Sequence, residues 1–112
     1  MTFSEIITEL NCTAYHTREE CDECQIHHVV TSDLMSEVLV VDEEDLILVT
    51  SLTTDQAVRT ADIVGAYGIL LANDKAPQEN MKKLAKESDL TLLSTPLSTF
   101  SACVELGKLL GK

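Results

Sequence analysis

Tryptophan is absent, aromatic residues make up 4% of the chain, and its 112 residues include only two prolines and four glycines. Without aromatic bulk the core has to be assembled from Leu, Val, Ile and Ala. The glycines, Gly65, Gly68, Gly107 and Gly111, are too few for a dinucleotide-binding loop. No G-x-x-x-x-G-K-[ST] phosphate loop occurs, and residues 107–112 have the wrong spacing and no closing Ser or Thr to make one, which excludes kinase chemistry of that type. G-x-S-x-G is missing as well. No apolar run approaches the ~18–20 residues that span a bilayer. Met1 to Glu5 lacks the positive segment and apolar stretch of a signal peptide, so a cytoplasmic location is expected. Positive charge is scarce too. Eight Lys and Arg face 19 Asp and Glu, for a net charge of −11. Residues 1–62 carry only Arg18 and Arg59 as cations and sum to −12, whereas residues 63–112 sum to +1. An acidic half of this size repels nucleic acid and anionic membranes alike. It reads as a solvated face that aids solubility or, functionally, as a docking face for a basic partner.

What is present is ordinary globular composition, 45% hydrophobic and 24% charged, in one expected domain covering residues 1–112. A chain of this length folds without help from disulfides or metals. Thr2 and Glu5 form a capping box ahead of a helix with Ile6, Ile7 and Leu10 on one stripe. Cys12 to His16 and Gln25 to Thr31 read as strands around a polar loop at residues 17–24. Ser32 or Asp33 is expected to cap a helix carrying Leu34, Met35, Val38 and Leu39. From Asp45 onward, strands that are apolar throughout alternate with amphipathic helices. The strands are Asp45 to Thr50, Ile69 to Leu71 and Leu90 to Leu93. The helices are expected to begin with a Thr53–Gln56 capping box, with Pro77 in a first turn, and with Ser98 as cap. In the second of these, Glu79–Lys83 and Lys83–Glu87 pairs line the wet face. In the last, Phe100, Cys103, Val104, Leu106, Leu109 and Leu110 face inward. Strands apolar on both faces belong to a covered parallel sheet. The expected fold is therefore α/β, a three-layer α/β/α sandwich with a mainly parallel sheet.

Two regions carry candidate chemistry. Cys21 and Cys24, two residues apart, can chelate zinc or anchor an iron–sulfur cluster if His27 or His28 and Cys12 add ligands. A second short Cys or His pair, which would make the signal strong, is missing. Glu19, Glu20, Asp22 and Glu23 would raise the thiol pKa values and oppose redox use, leaving inert surface thiols as the plain alternative. His27 and His28 alternate along a strand, so only one of them can face the core, and a packed or solvent-exposed His is the plain reading of either. The second region comprises the loops Thr50 to Thr54 and Ser94 to Thr99, each joining a strand to a helix. Their helix starts attract anions, and Ser51, Thr53, Thr95 and Ser98 are the candidate contacts for a small anionic ligand such as a nucleotide. Simple N-capping explains Thr53 and Ser98 without a ligand.

Val30-Thr31-Ser32-Asp33-Leu34-Met35-Ser36-Glu37-Val38, followed by Glu44 to Thr50, then Gly68-Ile69-Leu70-Leu71, then Leu92-Leu93-Ser94-Thr95-Pro96-Leu97-Ser98-Thr99-Phe100, resembles a DRTGG domain. That module is similar to the N-terminal domain of HPr kinase/phosphorylase and also accompanies CBS domains in some pyrophosphatases. The likeness covers about residues 26–110, most of the chain. It implies a regulatory, self-associating module with no catalytic residues, hence a homodimer and not an enzyme. The chain departs from the family pattern where His27 and His28 stand in place of glycines and where Cys21 and Cys24 enter the preceding turn.

Overall fold

A computed structural model describes residues 1–19 and 24–112. The elements are α1 (Phe3–Glu9), β1 (Thr13–His16), β2 (His28–Thr31), α2 (Met35–Val38), β3 (Leu46–Thr50), α3 (Asp55–Ile63), β4 (Gly68–Leu71), α4 (Glu79–Glu87), β5 (Thr91–Ser94) and α5 (Thr99–Leu109). Five strands form one sheet in the order β1-β5-β4-β3-β2. Strands β2 to β5 are parallel and β1 runs antiparallel along β5. Every residue of β3, β4 and β5 is buried, which is why their sequences are apolar without alternation.

The layering follows from strand order. Because β2, β3, β4 and β5 lie side by side in chain order, crossovers of one hand put α2, α3 and α4 on the same face. Leu46, Leu48, Ile69, Leu71 and Leu92 meet those helices. Successive residues point to opposite faces, so Ile47, Val49, Leu70 and Leu93 meet α1 and α5 on the other side. The result is a three-layer α/β/α sandwich. The chain changes side between α4 and α5, so the loops after β4 and β5 lead to helices on opposite faces.

The Thr2–Glu5 capping box of α1 and the Ser98 cap of α5 are both present. Several local details differ from expectation. The N-cap of α3 is Thr54, with no side-chain cap bond, so Thr53 and Gln56 form no capping box. Pro77 lies one residue before Gln78, the N-cap of α4, and so stands outside the helix. Neither Ser32 nor Asp33 is the N-cap of α2, which is Leu34; the Asp33 carboxylate is spent on β3 instead. On α4, Glu79 pairs with Lys82 at 2.9 Å in place of Lys83. Phe100 is 78% exposed and Val104 is also on the surface. Ala102 and Leu106 define the buried stripe of α5, and Phe100 sits roughly 200° around the helix from Ala102, two residues away. Cys103 is half-buried at the margin of that stripe, its Sγ 3.1 Å from Thr31 Oγ1. Both His27 and His28 are exposed, because His27 precedes β2 and β2 is an edge strand.

Candidate functional site

The carboxyl ends of the four parallel strands are tied together by one chain of side-chain hydrogen bonds. After β2, Asp33 Oδ1 accepts from Thr50 Oγ1 at 2.8 Å and from the Ser51 N–H at 2.7 Å. After β4, the Asn73 amide donates to Ser51 Oγ and to Thr99 Oγ1, both at 3.0 Å, and its Oδ1 accepts from the Thr99 N–H at 3.3 Å. Asp33, Ser51, Asn73 and Thr99 thus link the loops following β2, β3, β4 and β5. Asn73 and Asp74 reach this geometry at φ 65° and 57°, in the left-handed region that Asn and Asp tolerate better than other side chains. Their N–H groups donate to Leu97 O at 2.8 Å and Thr95 O at 3.0 Å, which zips the β4–α4 loop to the β5–α5 loop.

Of the four expected ligand contacts, Ser51 lies in this chain and Ser98 lies beside it. Ser98 is exposed and its Oγ accepts from the Ser101 N–H at 3.1 Å. Thr53 is half-buried, and its carbonyl accepts from the Gln78 N–H at 3.0 Å. Thr95 is turned away: it is 1% exposed, and its hydroxyl donates to Leu10 O at 2.6 Å, pinning β5 to the end of α1. Asn73 and Thr99 were not foreseen as site residues. The one signal for Asn73 is an Asn-Asp pair directly after a strand, a turn signature that says nothing about three loops meeting there. What this arrangement can do is hold and orient a polar ligand. Both Asn73 amide N–H groups are engaged, which leaves the hydroxyl hydrogens of Ser51 and Thr99 as donors beside the N-terminus of α5, where the helix dipole favours negative charge.

The opposite end of the sheet is acidic. His27 Nδ1 lies 3.0 Å from Asp45 Oδ2, and Tyr67 donates its hydroxyl to Asp45 Oδ1 at 2.6 Å. The hydrogen bonds from Tyr67 and then from His27 hold the Asp45 carboxyl below its ordinary value, while the same bond to Asp45 pushes the Tyr67 hydroxyl up. Arg18 stacks over the Tyr67 ring at 4.5 Å. His28 Nε2 lies 3.1 Å from Glu43 Oε2, and its Nδ1 lies 2.7 Å from Glu44 O.

The cysteine site is only partly within view. Cys21 lies outside the described residues, and Cys24 is disulfide-bonded, so a thiolate ligand there requires the reduced form. The Cys12 thiol sits 3.6 Å from Ile6 O, and burial pushes its pKa up to about 11, which opposes the thiolate a metal needs. His27 is engaged with Asp45. Among the described residues no cluster of three or more His, Cys, Asp and Glu side chains is arranged to hold a metal ion. No helix among them is long and apolar enough to cross a membrane.

The architecture has a counterpart among solved structures. The structure is similar to that of the CBS and DRTGG domains of the regulatory region of Clostridium perfringens pyrophosphatase, solved in complex with its activator, diadenosine tetraphosphate. The TM-score is 0.77 at 19% identity, over 94% of this chain and 45% of that one. The chain is DRTGG-like in fold and spans less than half the length of that structure. No family model matches the sequence, and no curated protein matches it.

Proposed function

We propose that this chain is a non-catalytic regulatory module that self-associates as a homodimer and senses a small anionic ligand at the carboxyl edge of its sheet. The observation that carries the reading is Asn73, which joins Ser51 to Thr99 and thereby couples three strand-to-helix loops. A ligand that replaces one of these hydrogen bonds changes the packing of all three loops at once, which is what a sensor requires. The position also suits an anion despite the net charge of −11. The acidic run Asp42 to Asp45 precedes β3, so it lies at the other end of the strands. The Asp33 carboxylate already accepts two hydrogen bonds. Lys75, exposed in the same loop as Asn73, is the nearest cation in sequence. A nucleotide activator bound by the structurally similar regulatory region is consistent with this class of ligand.

The test is a thermal-shift screen with mono- and dinucleotides, diadenosine tetraphosphate and phosphorylated metabolites. A ligand present at 100-fold its Kd stabilises the fold by about 2.7 kcal/mol. The expected result is a clear rise in Tm with at least one of these compounds and its loss in Asn73→Ala. No shift with any of them would leave the carboxyl edge as structural capping alone.

A further inference from the structure

Strand β2 ends the sheet and is flanked by an open groove of about 570 Å³. The parallel ladder pairs His28 with Leu46 and Thr31 with Val49. His28 donates its N–H to Asp45 O and Ser32 donates to Val49 O, so residues 28, 30 and 32 turn their backbone groups toward β3. By alternation the N–H and C=O of Val29 and Thr31 point away from the sheet, into the groove. One wall is α5 with its C-cap, through Cys103, Gly107 and Leu110; the other is Val41, Asp42 and Glu43, which run toward β3. Nothing lies within 4 Å of where a side chain on Gly107 would begin, so the groove stays open along that helix. Apolar walls beside unpaired strand backbone describe a slot for one more strand.

We infer that this groove takes an extended, Lys- or Arg-bearing segment of a protein partner as a sixth strand beside β2. Charge selects the occupant. Lys112 lines the groove as well and His28 meets Glu43 at 3.1 Å, but Asp42 and Glu43 form the rim, Glu44 and Asp45 adjoin it, and residues 1–62 carry −12, so the balance stays acidic. A basic strand gains attraction at that rim. A second copy of this chain, paired antiparallel through β2 on a twofold axis, would offer only His28–Thr31, a strand without Lys or Arg to meet the acidic rim. This surface is separate from the carboxyl-edge loops and does not depend on them.

The test pans a phage-displayed library of random peptides on the full chain, then measures the enriched peptides by fluorescence anisotropy. The expected binders alternate apolar and basic residues, bind less tightly as salt rises, and protect the Val29 and Thr31 amides from hydrogen exchange. Gly107→Phe fills the groove from a helix position with free space and should abolish binding. Asp42→Lys changes only the rim and should weaken binding roughly tenfold. Enrichment of uncharged or acidic peptides, or binding that survives Gly107→Phe and Asp42→Lys equally, would overturn the inference. So would no enrichment at all, or concentration-dependent protection of Val29 and Thr31 in the protein alone, which would make the occupant a second copy.

Discussion

Gly68 sits in β4 between Ile47 of β3 and Thr91 of β5, where the backbones leave no room for a side chain. A Cβ there would lie 2.7 Å from Thr91 O and 2.8 Å from both Phe3 Cζ and Thr91 Cβ. Because one of these atoms is backbone in the middle of the sheet, relief requires moving a strand. Gly68→Ala is expected to cost about 1–3 kcal/mol, read as a lower urea midpoint. Cys12 makes a pH prediction. Its thiol is held neutral in the fold, with a pKa of about 11. An unfolded thiol ionises near 8.5, so the folded state loses ground progressively as pH rises from there toward 11. Cys12→Ala should flatten that alkaline decline, and Cys12 should resist alkylation near pH 8 until the protein is denatured. Asp45 acts in the opposite sense. Its carboxyl is depressed by Tyr67 and His27, so its contribution is present above the ordinary carboxylate range and is lost as pH falls through the lowered value. Tyr67→Phe removes the larger cause and should make the acid limb of a stability–pH curve shallower.

The helices and strands differ in how far sequence reveals them. The three central strands are legible because burial on both faces leaves a continuous apolar run that nothing else in the chain imitates. Thr2 with Glu5 is legible because a capping box is a local, reciprocal bond pair. Thr53 has the same sequence pattern as Thr2, yet the N-cap of α3 falls one residue later, at Thr54, since the route of the chain out of β3 decides which residue caps. The consequence is measurable. Ser98→Ala removes a real cap bond to the Ser101 N–H and should cost about 1 kcal/mol, whereas Thr53→Val should change stability by less than about 0.5 kcal/mol. Phe100 is not legible as exposed, because a helix of Phe, Val and Leu offers more than one apolar stripe, and contact with the sheet selects the one through Ala102 and Leu106. At the carboxyl edge Ser51 and Ser98 were legible as loop hydroxyls. Thr95 was legible as a residue but not in its orientation toward Leu10. Asn73 was not legible at all, because its partners lie 22 and 26 residues away and only the parallel sheet brings them together.

At the scale of the whole molecule, charge is divided unequally between the two halves of the sequence. The −12 contributed by residues 1–62 includes the acidic run at the amino end of β3, while residues 63–112, holding α4 and α5, are nearly balanced at +1. A homodimer of this chain must therefore choose its surface by electrostatics. Two acidic halves brought face to face would repel, and at 0.01 M salt, where the Debye length is about 30 Å, that repulsion would reach across the interface. Two copies meeting through α4, on the face of the sheet away from α5, avoid it and leave the β2 groove open to a partner of opposite charge. The expected outcome in sedimentation velocity is a dimer at micromolar protein, with the same sedimentation coefficient at 0.01 M and 0.15 M salt. A monomer at both salt concentrations would remove self-association from the proposed function. A dimer that dissociates only at low salt would place the acidic half in the interface, and the basic partner inferred for β2 would then have to compete with a second copy for that face.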